Sequence, residues 1–77
     1  MDIKFYLKNE TEHELTEHEL IICEGKRIEK QRKTGHITQL TRTNYDNSFD
    51  DETIAKFAIS DVNAHLELGW TITRIEL

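Results

Sequence analysis

Two histidines among closely spaced glutamates are the residues of this chain best suited to bind a metal. His13 and His18 are five positions apart, and imidazole with carboxylate forms a normal zinc site. Helical ligand pairs share a face at i, i+4, so this spacing does not bring both rings together. The pattern therefore predicts a solvated acidic edge with no metal or other cofactor. The glutamates of that edge are candidate contacts for a partner: Glu12, Glu14, Glu17 and Glu19.

Candidates for nucleophilic or acid–base catalysis are few. Ser48 and Ser60 are the only serines, and neither lies in a nucleophile-elbow sequence. Cys23 ends an apolar run that begins at Leu20, which indicates a buried thiol. His65 falls on the apolar side of a predicted helix, where we expect it to bond to a neighbouring strand. Since no glycine-rich phosphate loop is present either, we predict that the protein is not an enzyme.

The strongest pattern is a basic segment between two acidic ones. Residues 1–25 carry two Lys against seven Asp or Glu, a balance of −5. Residues 26–42, the basic block, carry six Lys or Arg against one Glu, a balance of +5. Residues 43–77 carry two Lys or Arg against seven Asp or Glu and return to −5. Clustered charge governs encounter and binding more than folding. The candidate contact residues of the block are Lys26, Arg27, Lys30, Arg32, Lys33 and Arg42.

A strand in the basic block would carry charge on both of its faces. Side-chain alternation places three cations on the face of Ile28, namely Lys26, Lys30 and Arg32. It places Arg27 and Lys33 on the other face with Glu29. Such a ribbon belongs in solvent or against a polyanion. If all the basic residues met phosphates, affinity would fall about a thousandfold between about 50 and about 200 mM salt. The block contains no aromatic residue to stack on bases, so sequence-specific readout is not predicted.

The N-terminal segment has the polarity pattern of a strand. Over residues 2–8, apolar and polar side chains alternate, which places one face on a core. The pentapeptide at 11–15 is then repeated at 16–20. A shift of five residues fits neither the strand nor the helix period. We interpret the repeat as a short duplication in a polar connection that leads into a second strand at 20–23.

Two glycines bound the basic ribbon. Gly25 and Gly35 are turn signals, and the Thr-rich stretch 36–45 suits a strand. The simplest interpretation is a long hairpin whose tip is the basic block. A short helix over 27–33 is the alternative, since Gly35 could cap it and its charged side chains could pair at i, i+4.

The last third of the chain begins with the signature of a helix N-terminus. Asp50 suits the N-cap and Asp51 the first turn, which explains these carboxylates without a catalytic role. Apolar residues then recur at helical spacing and Gly69 follows, which predicts a helix over about 51–67. Residues 70–77 predict a closing strand. Its apolar positions fall on both sides, which indicates a bulge or burial on both faces.

Length and composition bound the fold and the compartment. The 77 residues are enough for one domain, 1–77, and with 36% apolar residues the core must be small. The predicted fold class is α+β: an antiparallel meander of three or four strands, one helix packed on the sheet, and a final strand. A single cysteine, no secretory signal and no membrane-length apolar run predict a cytoplasmic protein without membrane contact.

These observations favour a small non-enzymatic protein-binding module. The short, proline-free, acidic α+β layout resembles many small proteins of phages and mobile elements, including some inhibitors of host defence. The resemblance implies an inhibitor of a nucleic-acid-handling host protein, with Asp and Glu standing where phosphates would lie. The alternative is a nucleic-acid-binding domain that uses residues 26–42 on phosphates. A homodimer formed through a sheet edge is a third hypothesis.

Overall fold

The computed structural model describes residues 2–10 and 15–77 and contains one sheet and one helix. Every strand pairing is antiparallel. The sheet has the strand order β4-β3-β2-β1-β5, so the first four strands form a meander and the last pairs with the free edge of the first. The predicted α+β class and layout are confirmed. The elements are β1 (Ile3–Glu10), β2 (Thr16–Glu24), β3 (Arg27–Thr34), β4 (Ile37–Asn44), α1 (Asp51–Glu67) and β5 (Thr71–Glu76).

The basic block forms an internal strand and the start of an edge strand, not the tip of a hairpin. Both predicted turns are present, with Gly25 and Gly35 at φ +57° and +59°. Because each turn is a tight two-residue loop, β3 folds back on both neighbours and lies between β2 and β4. Residues 27–33 therefore belong to a strand, and the alternative prediction of a short helix is wrong. The projecting ribbon predicted for the block is wrong.

The second strand is longer than its apolar run. The strand begins at Thr16 and not at residue 20 as predicted, so the second copy of the pentapeptide forms the first part of β2. Glu17 and Glu19 point to one face of the sheet, and His18 points to the other. The first copy of the repeat falls almost entirely outside the described residues. Polar side chains enter a strand here because β1 and β3 flank it and supply main-chain partners on both sides.

The helix begins and ends where its signals predict. The Asp50 side chain accepts a hydrogen bond from the Thr53 N–H at 2.7 Å, which caps the N-terminus. At the other end, the Trp70 N–H donates to the His65 carbonyl at 3.0 Å and the Gly69 N–H to Leu66 at 3.2 Å. These two bonds form a Schellman motif, and Gly69 at φ +94° adopts the left-handed conformation that the motif requires. The chain is thereby directed from α1 into β5.

One small core lies between the sheet and α1. Its strand members have odd numbers in β1 and β2, while Ile28 is the single apolar contribution of β3. Trp70 closes the end of the core next to the helix C-terminus. The buried apolar residues are Phe5, Leu7, Ile21, Cys23, Ile28, Ile54, Ala55, Ala58, Val62 and Trp70.

The last strand contains a bulge, which was one of the two predicted explanations of its apolar pattern. Tyr6 pairs with Arg74, whereas the next residue, Leu7, pairs with Ile72, so Thr73 is an extra residue on β5. The insertion brings Ile72 and Ile75 to the same side of the sheet as the core. The bulge explains why simple alternation along the sequence places the apolar residues of the two halves of the strand on opposite sides.

Candidate functional site: the open face of the sheet

The sheet face opposite α1 carries the candidate site, and we call it the open face. No described element packs on it. Cross-strand neighbours Tyr6, Leu20, Gln31 and Leu40 form a row across β1 to β4, the central row. Tyr6 and Leu20 are half-buried, and Leu40 is 57% exposed. An exposed apolar patch with polar surroundings is typical of a contact site for another molecule.

A depression of ≈ 380 Å³ lies beside the part of the central row that β1, β2 and β3 contribute. Tyr6, Leu20 and Gln31 line one side of it. The next row on the open face, two residues further along the strands, supplies His18 and Lys33 to the other side. Both of these basic side chains are exposed. The depression thus combines an apolar floor with a basic wall, an arrangement that suits a ligand with an apolar group beside a carboxylate.

The aromatic ring of the central row is held in place by its neighbours on β5. The Tyr6 hydroxyl donates to the Glu76 carboxylate at 2.9 Å. The Arg74 guanidinium lies over the ring, 5.0 Å from its centroid, in a cation–π contact. A restrained ring loses little conformational freedom when a partner binds. Sequence reasoning missed Tyr6 as a site residue, although its polar-side position in the alternation of the first strand was a usable signal.

The structure separates the candidate basic residues between two faces. Arg27, Lys33 and Arg42 lie on the open face, and Lys30 and Arg32 lie on the side covered by α1, as the alternation predicts. Lys26 occupies the turn before β3. Because the residues point in opposite directions, one flat polyanion cannot contact all of them together.

Acidic residues in the described part of the chain pair with nearly the whole basic block. The +5 balance of the sequence is therefore largely neutralised in space. Two of the partners come from the N-terminal acidic segment, two from the C-terminal one, and one from β3 itself. Lys33 alone of the six has no ion-pair partner among the described residues. The pairs are Lys26–Asp51 at 3.0 Å, Arg27–Glu24 at 3.9 Å, Lys30–Asp61 at 3.0 Å, Arg32–Glu19 at 2.8 Å and Arg42–Glu29 at 2.7 Å.

The candidate acidic residues do not form one exposed edge. Glu19 is 5% exposed and lies beneath α1. Glu17 is half-buried and accepts a hydrogen bond from the Thr34 hydroxyl at 3.0 Å. Glu12 and Glu14, with His13, lie outside the described residues. The expectation of a solvated acidic edge therefore fails at Glu19, because the period of the strand directs this side chain toward the helix.

A buried polar cluster surrounds the Glu19 carboxylate. His65 of α1 contacts it through Nε2, and Arg32 of β3 donates to it at 2.8 Å. The other ring nitrogen, Nδ1, lies 2.6 Å from the Asp61 carbonyl oxygen. Trp70 covers the cluster, edge-on to His65 at 5.2 Å and beneath the Arg32 guanidinium at 4.9 Å. The prediction that His65 bonds to a neighbouring strand is confirmed, and both of its ring nitrogens have a partner.

The remaining chemical candidates are the thiol and the metal-binding side chains. Cys23 is 1% exposed, and this burial raises the pKa of its thiol. Among residues 2–10 and 15–77, no three His, Cys, Asp or Glu side chains converge as a metal site would require. Nor is any helix of this part of the chain both long enough and apolar enough to cross a membrane.

The fold and this face define a class only: a single-sheet α+β protein with one sheet face covered by a helix and the other uncovered. Comparisons of the chain with protein-family models, with curated proteins and with solved structures found no match.

Proposed function

We propose that this protein is a non-enzymatic protein-binding module and that its open face receives the partner. The central row is the observation that carries the proposal. It places an aromatic and two aliphatic side chains across adjoining strands, with charged residues around them. Interfaces between proteins have this composition, an apolar and aromatic centre within a polar rim.

The basic wall of the depression indicates the chemistry of the partner. Lys33 is exposed and unpaired among the described residues, and exposed His18 is its cross-strand neighbour. A partner surface that presents an apolar side chain next to an acidic one would fill the depression and meet Lys33. Electrostatic matching of this kind favours rapid and selective association.

The inhibitor hypothesis needs a different contact surface from the one first expected. Glu19, Glu24 and Asp51 are engaged by cations of the same chain. A carboxylate with an internal partner is a poor substitute for a phosphate in a nucleic-acid groove. If the module inhibits a nucleic-acid-handling protein, we therefore propose that it binds through the central row, with Lys33 on an acidic part of its partner.

A pair of apolar-to-glutamine variants tests the proposed surface. Leu20→Gln removes apolar area from the centre of the open face, and Ile59→Gln makes the same change on α1, where Ile59 is 45% exposed. Affinity capture from the native host, followed by titration of the recovered protein, should show at least about a tenfold loss for Leu20→Gln. Ile59→Gln should bind like the wild type. Equal affinity of both variants would contradict the proposal.

Nucleic-acid binding is tested separately by fluorescence anisotropy with short DNA and RNA. Because five cations of the basic block are paired internally, we expect little binding and a shallow salt dependence. Affinity that falls about a thousandfold between about 50 and about 200 mM salt would instead show that these pairs open onto phosphates. That result would favour the nucleic-acid alternative.

A further inference from the structure

The outer edge of β4 presents a strand that lacks a partner among the described elements. All eight of its residues are exposed. Its register with β3 runs without interruption from Thr34–Ile37 to Arg27–Asn44, so the strand is regular along its whole length. A long regular edge is a template for pairing with another strand.

The main-chain groups that point outward can be assigned from the ladder. The Tyr45 N–H donates to the Lys26 carbonyl at 2.7 Å, which makes that pair a hydrogen-bonded one. Hydrogen-bonded and non-hydrogen-bonded pairs alternate in antiparallel sheets. The N–H and C=O groups of Thr38, Leu40, Arg42 and Asn44 therefore point away from β3.

This edge has none of the usual protection against pairing. The chain contains no proline, and β4 has no bulge in its register. Its one charged residue, Arg42, bonds to Glu29 on the neighbouring strand at 2.7 Å and does not project along the edge. The other edge strand, β5, differs in its register and its charge, since it carries a bulge and the charged residues Arg74 and Glu76.

We propose that β4 pairs with β4 of a second copy, antiparallel and about a two-fold axis through Leu40. Antiparallel partners share a face, so Leu40 meets Leu40 of the second copy on the open face. The same register sets Thr38 opposite Arg42 of the second copy, and the two arginines do not face each other. About six main-chain hydrogen bonds form between outward-pointing groups.

The strand is self-complementary in this register, which is why a second copy is the occupant. Its exposed leucine is covered by an identical leucine, and its single charge lies across from a neutral hydroxyl. The pairing joins two sheets into one of ten strands and continues the central row across the axis. The interface uses Leu40 and the β4 main chain and leaves Leu20 and Lys33 accessible. It shares Leu40 with the central row, so Leu20→Gln distinguishes the two proposals: it should weaken partner binding and leave the dimer intact.

Light scattering after size-exclusion chromatography tests the assembly. The wild type should approach twice the chain mass of 9.1 kDa as its concentration is raised from about 1 µM to about 1 mM, the range of a weak to moderate interface. Leu40→Lys and Leu40→Glu should each raise the dissociation constant about tenfold or more, because like charges would meet at the axis. An equimolar mixture of the two should dimerise again, since Lys then meets Glu.

A matched substitution on the opposite edge is the control. Ile75 on β5 is 51% exposed, close to the 57% of Leu40, and Ile75→Lys should leave the dimer intact. The mixing experiment also excludes misfolding as the cause of dissociation, because misfolded variants would not rescue each other. A wild-type monomer at all concentrations, a dimer unaffected by Leu40→Lys, or one dissociated by Ile75→Lys would each overturn the proposal.

Discussion

The two faces of the sheet are built from the same strands, but the carboxylates on them have different partners. On the covered face, the buried Glu19 and His65 lie beneath α1 beside Trp70, and Arg32, whose side chain is 38% exposed, pairs with Glu19. On the open face, Glu29 pairs with Arg42, whose side chain is 49% exposed. Both carboxylates are buried, since Glu19 is 5% and Glu29 8% exposed. Glu19 is shared with His65 beneath the helix, whereas water can replace Glu29 beside the more exposed Arg42.

Local charge balance therefore does not reveal the candidate binding surface of this chain. The basic block is the most prominent charged segment of the sequence, and in space its charges mostly neutralise the acidic segments. The open face, by contrast, is recognised by a few apolar side chains in cross-strand register. Four predictions test this difference, in order of decreasing expected effect.

Substitutions at two adjacent residues of β2 should show the largest difference in stability between the two faces. Ile21 is fully buried in the core, and Leu20, next to it, is half-buried on the open face. Ile21→Ala should lower the free energy of unfolding by about 3 kcal/mol, because it leaves a cavity. Leu20→Ala should cost only about 1 kcal/mol. Urea denaturation of both variants measures the difference, and equal costs would show that the open face is as well packed as the core.

Removal of the buried carboxylate should produce the next largest effect. Glu19→Ala leaves Arg32 and His65 without their shared partner and should cost about 2 to 3 kcal/mol, less than a fully buried pair because Arg32 is partly exposed. Glu29→Ala should cost less, since water can replace the carboxylate beside Arg42. Glu19→Gln, which keeps an acceptor oxygen, is the conservative control. A larger loss for Glu29→Ala than for Glu19→Ala would reverse the assignment of the two faces.

Acid should weaken the open-face pair through Glu29. Hydrogen bonds from Gln31 and Arg42 hold the pKa of Glu29 below its ordinary value of 4.5. A carboxyl with a lowered pKa in the folded state stabilises the protein above its ordinary pKa. That stability is lost as the pH falls through the folded-state value.

The urea midpoint should therefore fall when the pH is lowered from about 6 to about 3. Glu29→Gln cannot titrate at this position and should show a smaller fall. The N-terminal cap adds to the wild-type effect in the same direction, since the Thr53 bonds lower the pKa of Asp50. If Glu29→Gln has the same pH dependence as the wild type, the Glu29 contribution is absent.

The Cys23 thiol on the covered face should react slowly as long as the protein is folded. Cys23 is 1% exposed and burial raises its pKa, so little thiolate is present at neutral pH. A chromogenic disulfide reagent should label it slowly in buffer and rapidly in denaturant. Ser60→Cys adds an exposed thiol on α1 as an internal standard. Two thiols that react at the same fast rate would show that the covered face opens readily.

The helix and the turns could be predicted because their signals are local. Asp50 marks the start of α1 and Gly69 its end, and both act through main-chain groups within a few residues. Gly25 and Gly35 mark two-residue loops for the same reason. The apolar phase shift in β5 also predicted a bulge, because strand period and sequence alone define it.

The candidate site was less predictable because cross-strand register decides it. Tyr6, Leu20, Gln31 and Leu40 are 14, 11 and 9 positions apart in sequence and become one row only when four strands align. Glu19 was expected in solvent because its neighbours are polar. It is buried because the extended β2 places residue 19 on the same face as Ile21.

The sequence by itself determined the α+β class, the ends of the helix, the turns and the alternation of side chains, since these depend on backbone conformation over short distances. Only the tertiary structure decided which charged residues pair with each other. Ion pairs such as Lys30–Asp61 and Arg32–Glu19 join residues far apart in the chain, and they form because sheet order and helix packing bring opposite charges within about 4 Å. The −5, +5, −5 pattern is therefore a property of the chain, whereas the folded surface is defined by the pairs that cancel it.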